Sequence, residues 1–118
     1  MTHPAALIVA HGQPSDPGPA AAEIAALAAR VAEHLPGWRV SSATLAEADA
    51  LPRAVAATGG VGVVYPLFMA GGWFTRTHLP ERLIAAGGQG FRMLAPFGTD
   101  PRIQDLTVSL AREAAGGV

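Results

Sequence analysis

Short apolar runs alternate along the chain with longer stretches in which apolar residues recur every three or four positions. The short runs predict strands at residues 7–10, 61–67 and 91–94, and alternation with β-branched residues predicts another at residues 38–45. The longer stretches, bounded by glycine and proline, predict four helices, at residues 20–35, 48–57, 80–86 and 101–114. Strands that alternate with helices form a parallel sheet through right-handed crossovers. The pattern therefore predicts an α/β fold.

We expect residues 1–118 to form a single domain, a four-stranded parallel sheet with helices on both faces. A flavodoxin-like strand order, 2-1-3-4, places strands two and three on either side of strand one. The connections that leave strands one and three then diverge, and a crevice opens between the carboxyl ends of these two strands. The segment from His11 to Asp16 and the loop after Tyr65 line that crevice. The sequence therefore predicts a ligand site there.

Composition excludes several kinds of chemistry. The absence of cysteine excludes disulfides, thiolate zinc sites, iron–sulfur ligation and a cysteine nucleophile. All eight basic residues are arginines, so a lysine amine nucleophile is excluded. A formal net charge of -1 gives no electrostatic signature of nucleic-acid binding. Any metal must be held by imidazole and carboxylate groups, which suit cobalt, nickel, iron or zinc.

The sequence gives no sign of a membrane segment. Its N-terminus lacks a basic region followed by an apolar stretch and a cleavage site, as a signal peptide would have. The longest apolar run, residues 61–74, is interrupted by Pro66 and by Gly71 and Gly72, and it is too short to cross a bilayer. We expect a soluble, cytoplasmic protein with no membrane partner.

His11 is the first candidate for chemistry because it directly follows the apolar run of strand one. An imidazole on a strand end is a candidate metal ligand or general base. The alternative is a histidine that bonds to neighbouring backbone. Gly12, Ser15 and the start of the first helix have free N–H groups that attract a carboxylate or phosphate, although helix capping explains Ser15 and Asp16 nearly as well.

The loop after strand three supplies the remaining candidates for substrate binding. Gly71 and Gly72 allow close approach of a flat ligand to the backbone, or they form a hinge. Arg76 suits a substrate carboxylate, since the guanidinium fork matches that group. Trp73 and Phe74 either stack on a π-system or belong to the core or to a dimer contact.

The chain resembles the short class II tetrapyrrole chelatases, a family that includes the sirohydrochlorin chelatases and the anaerobic cobaltochelatase of cobalamin synthesis. Four stretches carry the resemblance, in order along nearly the whole chain. They are AHGQP at residues 10–14, PLFMAGG at 66–72, HLP at 78–80 and LAPFGTDP at 94–101.

The resemblance implies insertion of a divalent metal, Co²⁺ or Fe²⁺ or Ni²⁺, into a sirohydrochlorin-type tetrapyrrole. The enzyme would be a lyase with the metal as substrate and no organic cofactor. Short members are homodimers, so a homodimer is expected. The family's metal-binding histidine matches His11. Arginines and helix N-termini, including Arg76, Gly12 and Ser15, would take the macrocycle's carboxylates, with Gly71, Gly72 and Trp73 beside its ring.

The sequence departs from the family at the other ligand positions. The family's second histidine falls on Phe74, and an aspartate often found before the Leu-Pro pair falls on His78. If residues 74–78 are helical, residues four apart share a face, and the imidazole of His78 replaces one at position 74. At the end of strand two, either Ala46 replaces the family's carboxylate or Glu47 supplies it. The alternative for Glu47 is a surface carboxylate at a helix start, where the helix dipole favours it. We therefore expect His11, His78 and Glu47 as metal ligands, with His11 and His78 catalytic.

The replacement at Phe74 also favours an alternative, a chelatase-like protein that binds a tetrapyrrole or a metal without joining them. A third hypothesis is a structural or regulatory dimer whose crevice is empty.

Overall fold

The computed structural model describes residues 4–116 and contains one four-stranded sheet. Its strands are β1 (Ala5–Ala10), β2 (Arg39–Thr44), β3 (Val61–Pro66) and β4 (Gly90–Met93). They are ordered β2-β1-β3-β4, and every neighbouring pair is parallel. The predicted fold and the predicted strand order are confirmed.

Four α-helices connect and follow the strands. They are α1 (Pro17–Glu33), α2 (Ala50–Thr58), α3 (Leu79–Ala85) and α4 (Pro101–Gly116). A π-helical turn, Phe74–His78, directly precedes α3, and a 3₁₀ turn, Phe97–Thr99, precedes α4. Among residues 4–116, no helix is long and apolar enough to cross a membrane.

The core lies on the face of the sheet that α2 and α3 cover. Successive strand residues point to opposite faces, and Leu7, Val9 and Val64 share this face with 0% of their surface exposed. Leu51 from α2 and Leu79 from α3 complete the same cluster and are also fully buried. The buried strand residues explain why the sequence shows apolar runs at β1 and β3, whose neighbours lie on both sides.

The opposite face is only partly covered. Ala6 and Ile8 of β1 point to this face, where α1 packs over β2 and β1 through apolar side chains that include Leu27 and Val31. Over β3 and β4 the same face has no helix from the described part of the chain.

The segment before α3 is helical although a proline follows closely. Proline disfavours helical backbone in the residue before it, which here is Leu79. Instead, Leu79 is helical (φ -64°, ψ -47°), and its N–H donates to the Phe74 carbonyl across the π-helical turn. Pro80 is tolerated because it lies in the first turn of α3, where its missing N–H is not needed.

A side-chain cap marks the beginning of α4 but not that of α1. Asp100 precedes α4, and its Oδ1 accepts the Arg102 N–H at 2.9 Å, so it caps a helix that has Pro101 at its first position. Asp16 occupies the N-cap position of α1, but its side chain makes no capping hydrogen bond.

We expect Leu51→Ala to lower the free energy of unfolding by about 2–5 kcal/mol, because the fully buried side chain leaves a cavity among α2, α3 and the sheet. Chemical denaturation measures this loss. Ile84→Ala is the control, since Ile84 is 55% exposed on α3 and should cost less than about 1 kcal/mol. Equal losses in the two variants would contradict the described core.

Candidate functional site

Backbone hydrogen bonds hold His11 in place at the carboxyl end of β1. The Leu45 N–H donates to the Ala10 carbonyl at 2.9 Å, and the Ala46 N–H donates to the His11 carbonyl at 2.9 Å. The parallel ladder between β1 and β2 therefore continues past the last strand residue. The exposed His11 side chain is positioned by the sheet, although it lies outside the strand.

Gly12 makes this arrangement possible. Its φ is +73°, a left-handed conformation that glycine adopts without steric penalty. A Cβ at this position would lie 2.7 Å from the Thr44 Cβ and 2.9 Å from the Ala46 Cβ. Both the turn and the close approach to the end of β2 therefore require glycine.

Phe68 forms an aromatic floor beneath the imidazole of His11. The two rings are stacked, with centroids 4.2 Å apart and an interplanar angle of 26°. Phe68 is only 5% exposed, and its carbonyl accepts the Gly98 N–H at 2.9 Å. One residue earlier, the Leu67 N–H donates to the Val9 carbonyl at 2.7 Å. Backbone hydrogen bonds at Phe68 and at the residue before it therefore hold the aromatic floor against β1 and against the turn before α4.

The π-helical turn places the rings of Phe74 and His78 next to each other and close to His11. The Phe74 ring stands edge-on to His11, with centroids 4.2 Å apart at 85°, and edge-on to His78, with centroids 5.4 Å apart at 87°. His78 stacks on Trp73 at 4.6 Å and 17°. Single π-helical turns are frequent at functional sites. Here the turn completes a continuous series of ring contacts that runs from His11 to Phe74, then to His78 and then to Trp73.

His11 and His78 line one open cavity of about 220 Å³, together with Gly12, Leu45 and Phe74. His11 also borders an adjacent cavity of about 400 Å³, where Phe68, Met69 and Trp73 lie. Met69 is 70% exposed and Trp73 is 58% exposed. The two imidazoles therefore open onto a hollow with a large, solvent-facing apolar rim.

Partial burial lowers the pKa of His11 below its usual 6.5, and the nearby His78 lowers it further. The neutral imidazole, which binds metals and accepts protons, is therefore the favoured form at neutral pH. The unfolded chain binds this proton more readily than the folded chain does. The contribution of His11 to the free energy of unfolding is therefore fully present above pH 6.5, and it is lost as the pH falls through the lowered pKa.

Of the predicted substrate-binding residues, Gly12, Gly72 and Trp73 line the two cavities, whereas Ser15, Gly71 and Arg76 do not. Ser15 is exposed in the turn before α1, and Gly71 and Gly72 lie in the loop before the π-helical turn. The Gly72 N–H donates to Thr75 Oγ1 at 3.0 Å, which anchors the start of that turn. Arg76 is exposed, and no carboxylate among residues 4–116 lies within 4.0 Å of it.

Glu47 lies apart from the two histidines. Its Oε2 is 3.7 Å from Nη2 of Arg53, and it lines a separate groove beside Ser42 and Ala50. Its side chain would have to leave Arg53 to join a metal at the imidazoles, so its role as a ligand stays a prediction. Within residues 4–116, no three His, Cys, Asp or Glu side chains form a group able to hold a metal ion.

The arrangement can provide imidazole nitrogens to a metal while leaving its other positions free. Closed sites with four protein ligands hold metals tightly for structural purposes, whereas open sites keep exchangeable positions. Imidazole suits several divalent transition metals, so the donor set does not select one of them. The two imidazoles on an open cavity are therefore suited to bind a metal transiently next to an aromatic surface.

Two supporting residues were not predicted from the sequence. Phe68 was part of a motif but had no assigned role, and its only signal was an apolar run that continues past β3. Arg82, on α3, donates from Nη1 to the Leu45 carbonyl at 3.0 Å and so ties α3 to the segment that holds His11. No local pattern marks a contact between residues 37 positions apart.

The CbiX family model matches residues 5–114 of the chain. The chain belongs to the CbiX family. No curated protein matches it.

Two solved structures of CbiX proteins are similar to this chain. One, described as the terminal enzyme for biosynthesis of siroheme in denitrifying bacteria, is 51% identical with a TM-score of 0.83. That match covers 95% of this chain and 48% of the other, so this chain spans about half the length of that CbiX protein. The other, a cobalamin (vitamin B12) biosynthesis CbiX protein from Marinobacter aquaeolei VT8, is 26% identical with a TM-score of 0.72. This match covers 97% of this chain and 98% of the other.

We expect His78→Ala to raise the pKa of His11 toward 6.5, because it removes a neighbouring positive charge. Titration of the His11 ring protons by NMR measures the change. His34→Ala is the control, since His34 is exposed at the far end of α1. An unchanged His11 titration in His78→Ala would contradict the coupling of the two imidazoles.

Gly12→Ala tests the close approach at the end of β1. We expect this variant to lose about 2–4 kcal/mol of unfolding free energy, from the positive φ together with the overlap with Thr44 and Ala46. Gly37→Ala isolates the conformational part, since Gly37 has φ +86° and nothing within 4 Å of an added Cβ. The two variants would lose the same amount in chemical denaturation only if the overlap were not present.

Proposed function

We propose that this protein inserts a divalent metal ion, cobalt or iron, into a sirohydrochlorin-type tetrapyrrole. The observation that carries the proposal is the pair of imidazoles, His11 and His78, on one open hollow with an aromatic rim. Membership in the CbiX family and similarity to a CbiX protein of siroheme biosynthesis support the same activity. Similarity to a CbiX protein of cobalamin biosynthesis supports cobalt as well as iron.

The proposed reaction places the macrocycle against the exposed aromatic rim of the hollow. Trp73 and Phe74 offer ring faces and edges to a flat π-system. Arg76, which has no carboxylate partner among residues 4–116, offers its guanidinium to one of the macrocycle's carboxylates, and the N–H groups before α1, near Gly12 and Ser15, take another. Gly71 and Gly72 leave room for the ring beside the loop.

His11 presents the metal to the pyrrole nitrogens, with His78 as the second donor. A divalent metal replaces two pyrrole protons, and the metal–imidazole bonds break as metal–pyrrole bonds form. The vacated imidazole of His11 then accepts one of the two released protons and, because its pKa is lowered, gives that proton up to water near neutral pH. The second proton goes directly to water. Only two protein donors hold the metal, which makes this transfer possible.

A second candidate function is a carrier that binds a tetrapyrrole or a metal without joining them. It is favoured by the position of Phe74, whose ring contacts both imidazoles, and by the lack of a third metal-binding group near them in residues 4–116. In this case the apolar ring of Phe74 would keep a metal from bridging His11 and His78.

Absorbance of sirohydrochlorin mixed with Co²⁺ or Fe²⁺ tests the proposal. We expect the protein to accelerate metal insertion and His11→Ala to lose about 100-fold or more of the enzymatic rate, since it removes both a ligand and a proton acceptor. His78→Ala should lose a smaller share, and His34→Ala, an exposed histidine on α1, should lose none.

The same spectra distinguish the alternatives. Tetrapyrrole or metal binding without acceleration supports the carrier and contradicts the enzyme. An unchanged rate in His11→Ala would show that insertion does not use the site described, and no binding of either substrate would leave only a structural or regulatory role.

A further inference from the structure

Strand β2 lies at one edge of the sheet, with β1 on one side and no strand of residues 4–116 on the other. The Arg39 N–H donates to the Pro4 carbonyl at 2.9 Å, which places the odd-numbered residues of β2 in register to bond with β1. Alternate residues of a strand direct their backbone groups to opposite edges. Val40 and Ser42 therefore direct their N–H and carbonyl groups away from the sheet.

A groove of about 310 Å³ lies beside this free edge. Residues 41–44 of β2 form its floor, Ala21 of α1 forms one wall, and Ala50 and Ala54 of α2 form the other. Because all three wall residues are alanines, the space next to the strand backbone is left open. An added strand would lie about 4.8 Å from β2, so its backbone would occupy this space.

Two hydroxyl groups along the groove have no hydrogen-bond partner within residues 4–116. They are Ser41 Oγ and Thr44 Oγ1, and both atoms are buried. Thr44 as a whole is only 1% exposed. Buried polar side chains of native proteins nearly always have a hydrogen-bond partner. Two such hydroxyls on one groove therefore indicate a binding surface for polar groups.

Strand β2 lacks the residues that usually protect an edge strand. Lysine and proline commonly hinder the addition of a further strand at an edge, whereas β2 reads RVSSAT, with one charged residue at its first position. Glu47 and Arg53 line the groove and lie 3.7 Å apart, so their charges offset each other. The lining therefore favours a neutral occupant with small side chains.

The groove admits a bare extended segment more readily than a second folded copy. An occupant has to enter between α1 and α2, which form the two walls. The β2 edge of a second copy has the same two helices at its sides, and these would meet the walls first. A peptide backbone carries donors and acceptors at the spacing of β2 itself, and it needs no flanking helix.

We propose that the groove beside β2 binds an extended, neutral segment of a partner protein as an added strand. The backbone of this segment pairs with Val40 and Ser42, and its small side chains lie between the alanine walls. The groove shares no lining residue with the two cavities at His11 and His78. The proposal therefore goes beyond metal insertion and does not depend on it.

A synthetic peptide tests strand addition in the full-length protein. The probe is acetylated and amidated Thr-Ala-Thr-Ala-Thr, which is neutral, small and rich in β-branched residues. We expect a dissociation constant of about 1 mM or lower. At ten times that concentration, amide hydrogen exchange of Val40 and Ser42 should slow by about 10-fold, because only the unbound fraction exchanges. The amides of Ser41 and Ala43, which face β1, should not change.

An N-methylated peptide and a pair of protein variants are the controls. The same peptide methylated on its three central backbone nitrogens cannot donate there and should not bind. Ala21→Leu fills the groove from the α1 wall and should raise the dissociation constant by about 10-fold or more. Ala22→Leu adds the same side chain at the adjacent exposed position and should bind normally. If circular dichroism shows that Ala21→Leu does not fold, Ala50→Leu replaces it, with the exposed Ala57→Leu as its control.

Four results would overturn the proposal. Unchanged exchange of Val40 and Ser42 at about 10 mM peptide would mean that the edge does not accept a strand. Equal binding of the N-methylated peptide would mean that the contact does not use the backbone. Unchanged affinity in the folded groove variant would place the peptide elsewhere. Protection of Val40 and Ser42 that needs no peptide and grows with protein concentration would make a second copy the occupant.

Discussion

The position of His11 depends on a parallel hydrogen-bond ladder that continues beyond the end of β1. The N–H groups of Leu45 and Ala46 pair with the carbonyls of Ala10 and His11, and on the other side the Leu67 N–H pairs with the Val9 carbonyl. These bonds bring the ends of β2, β1 and β3 together in order. The hollow, its aromatic floor and the side-chain direction of His11 all follow from that convergence.

The aromatic surroundings of His11 set its protonation more than charge does. His11 contacts Phe68 and Phe74, and His78 contacts Trp73 and Phe74. Partial burial among these rings is the larger cause of the lowered pKa of His11, and it favours the neutral imidazole that a transient metal site needs. The same rings give a flat macrocycle a surface on which to lie. A single aromatic cluster thus serves both proposed substrates.

The features that local pattern encodes could be predicted from the sequence. The four strands, their order and the place of His11 follow from apolar runs, turn residues and the rule that parallel strands end at one edge. The π-helical turn at Phe74–His78 could not be predicted in the same way, because five residues are too few for apolar spacing to distinguish a π-helical turn from an α-helical one.

Contacts between segments that are far apart in the sequence account for the other features that the sequence does not predict. The Arg82 bond to Leu45, the Gly98 contact with Met69 and the separate groove of Glu47 each join segments that no periodicity links. The direction of α4 belongs to this group too. Its amphipathic pattern predicts a helix, but only the docked 3₁₀ turn determines that the helix leaves the sheet.

Paramagnetic NMR of the protein with Co²⁺ tests the central claim most directly, because the ion broadens signals of nuclei near it. The account predicts selective loss of the ring-proton signals of His11 and His78, with those of Phe74 affected next and those of His34 unchanged. Broadening centred on Glu47 or on His34, with the His11 ring signals still sharp, would contradict it.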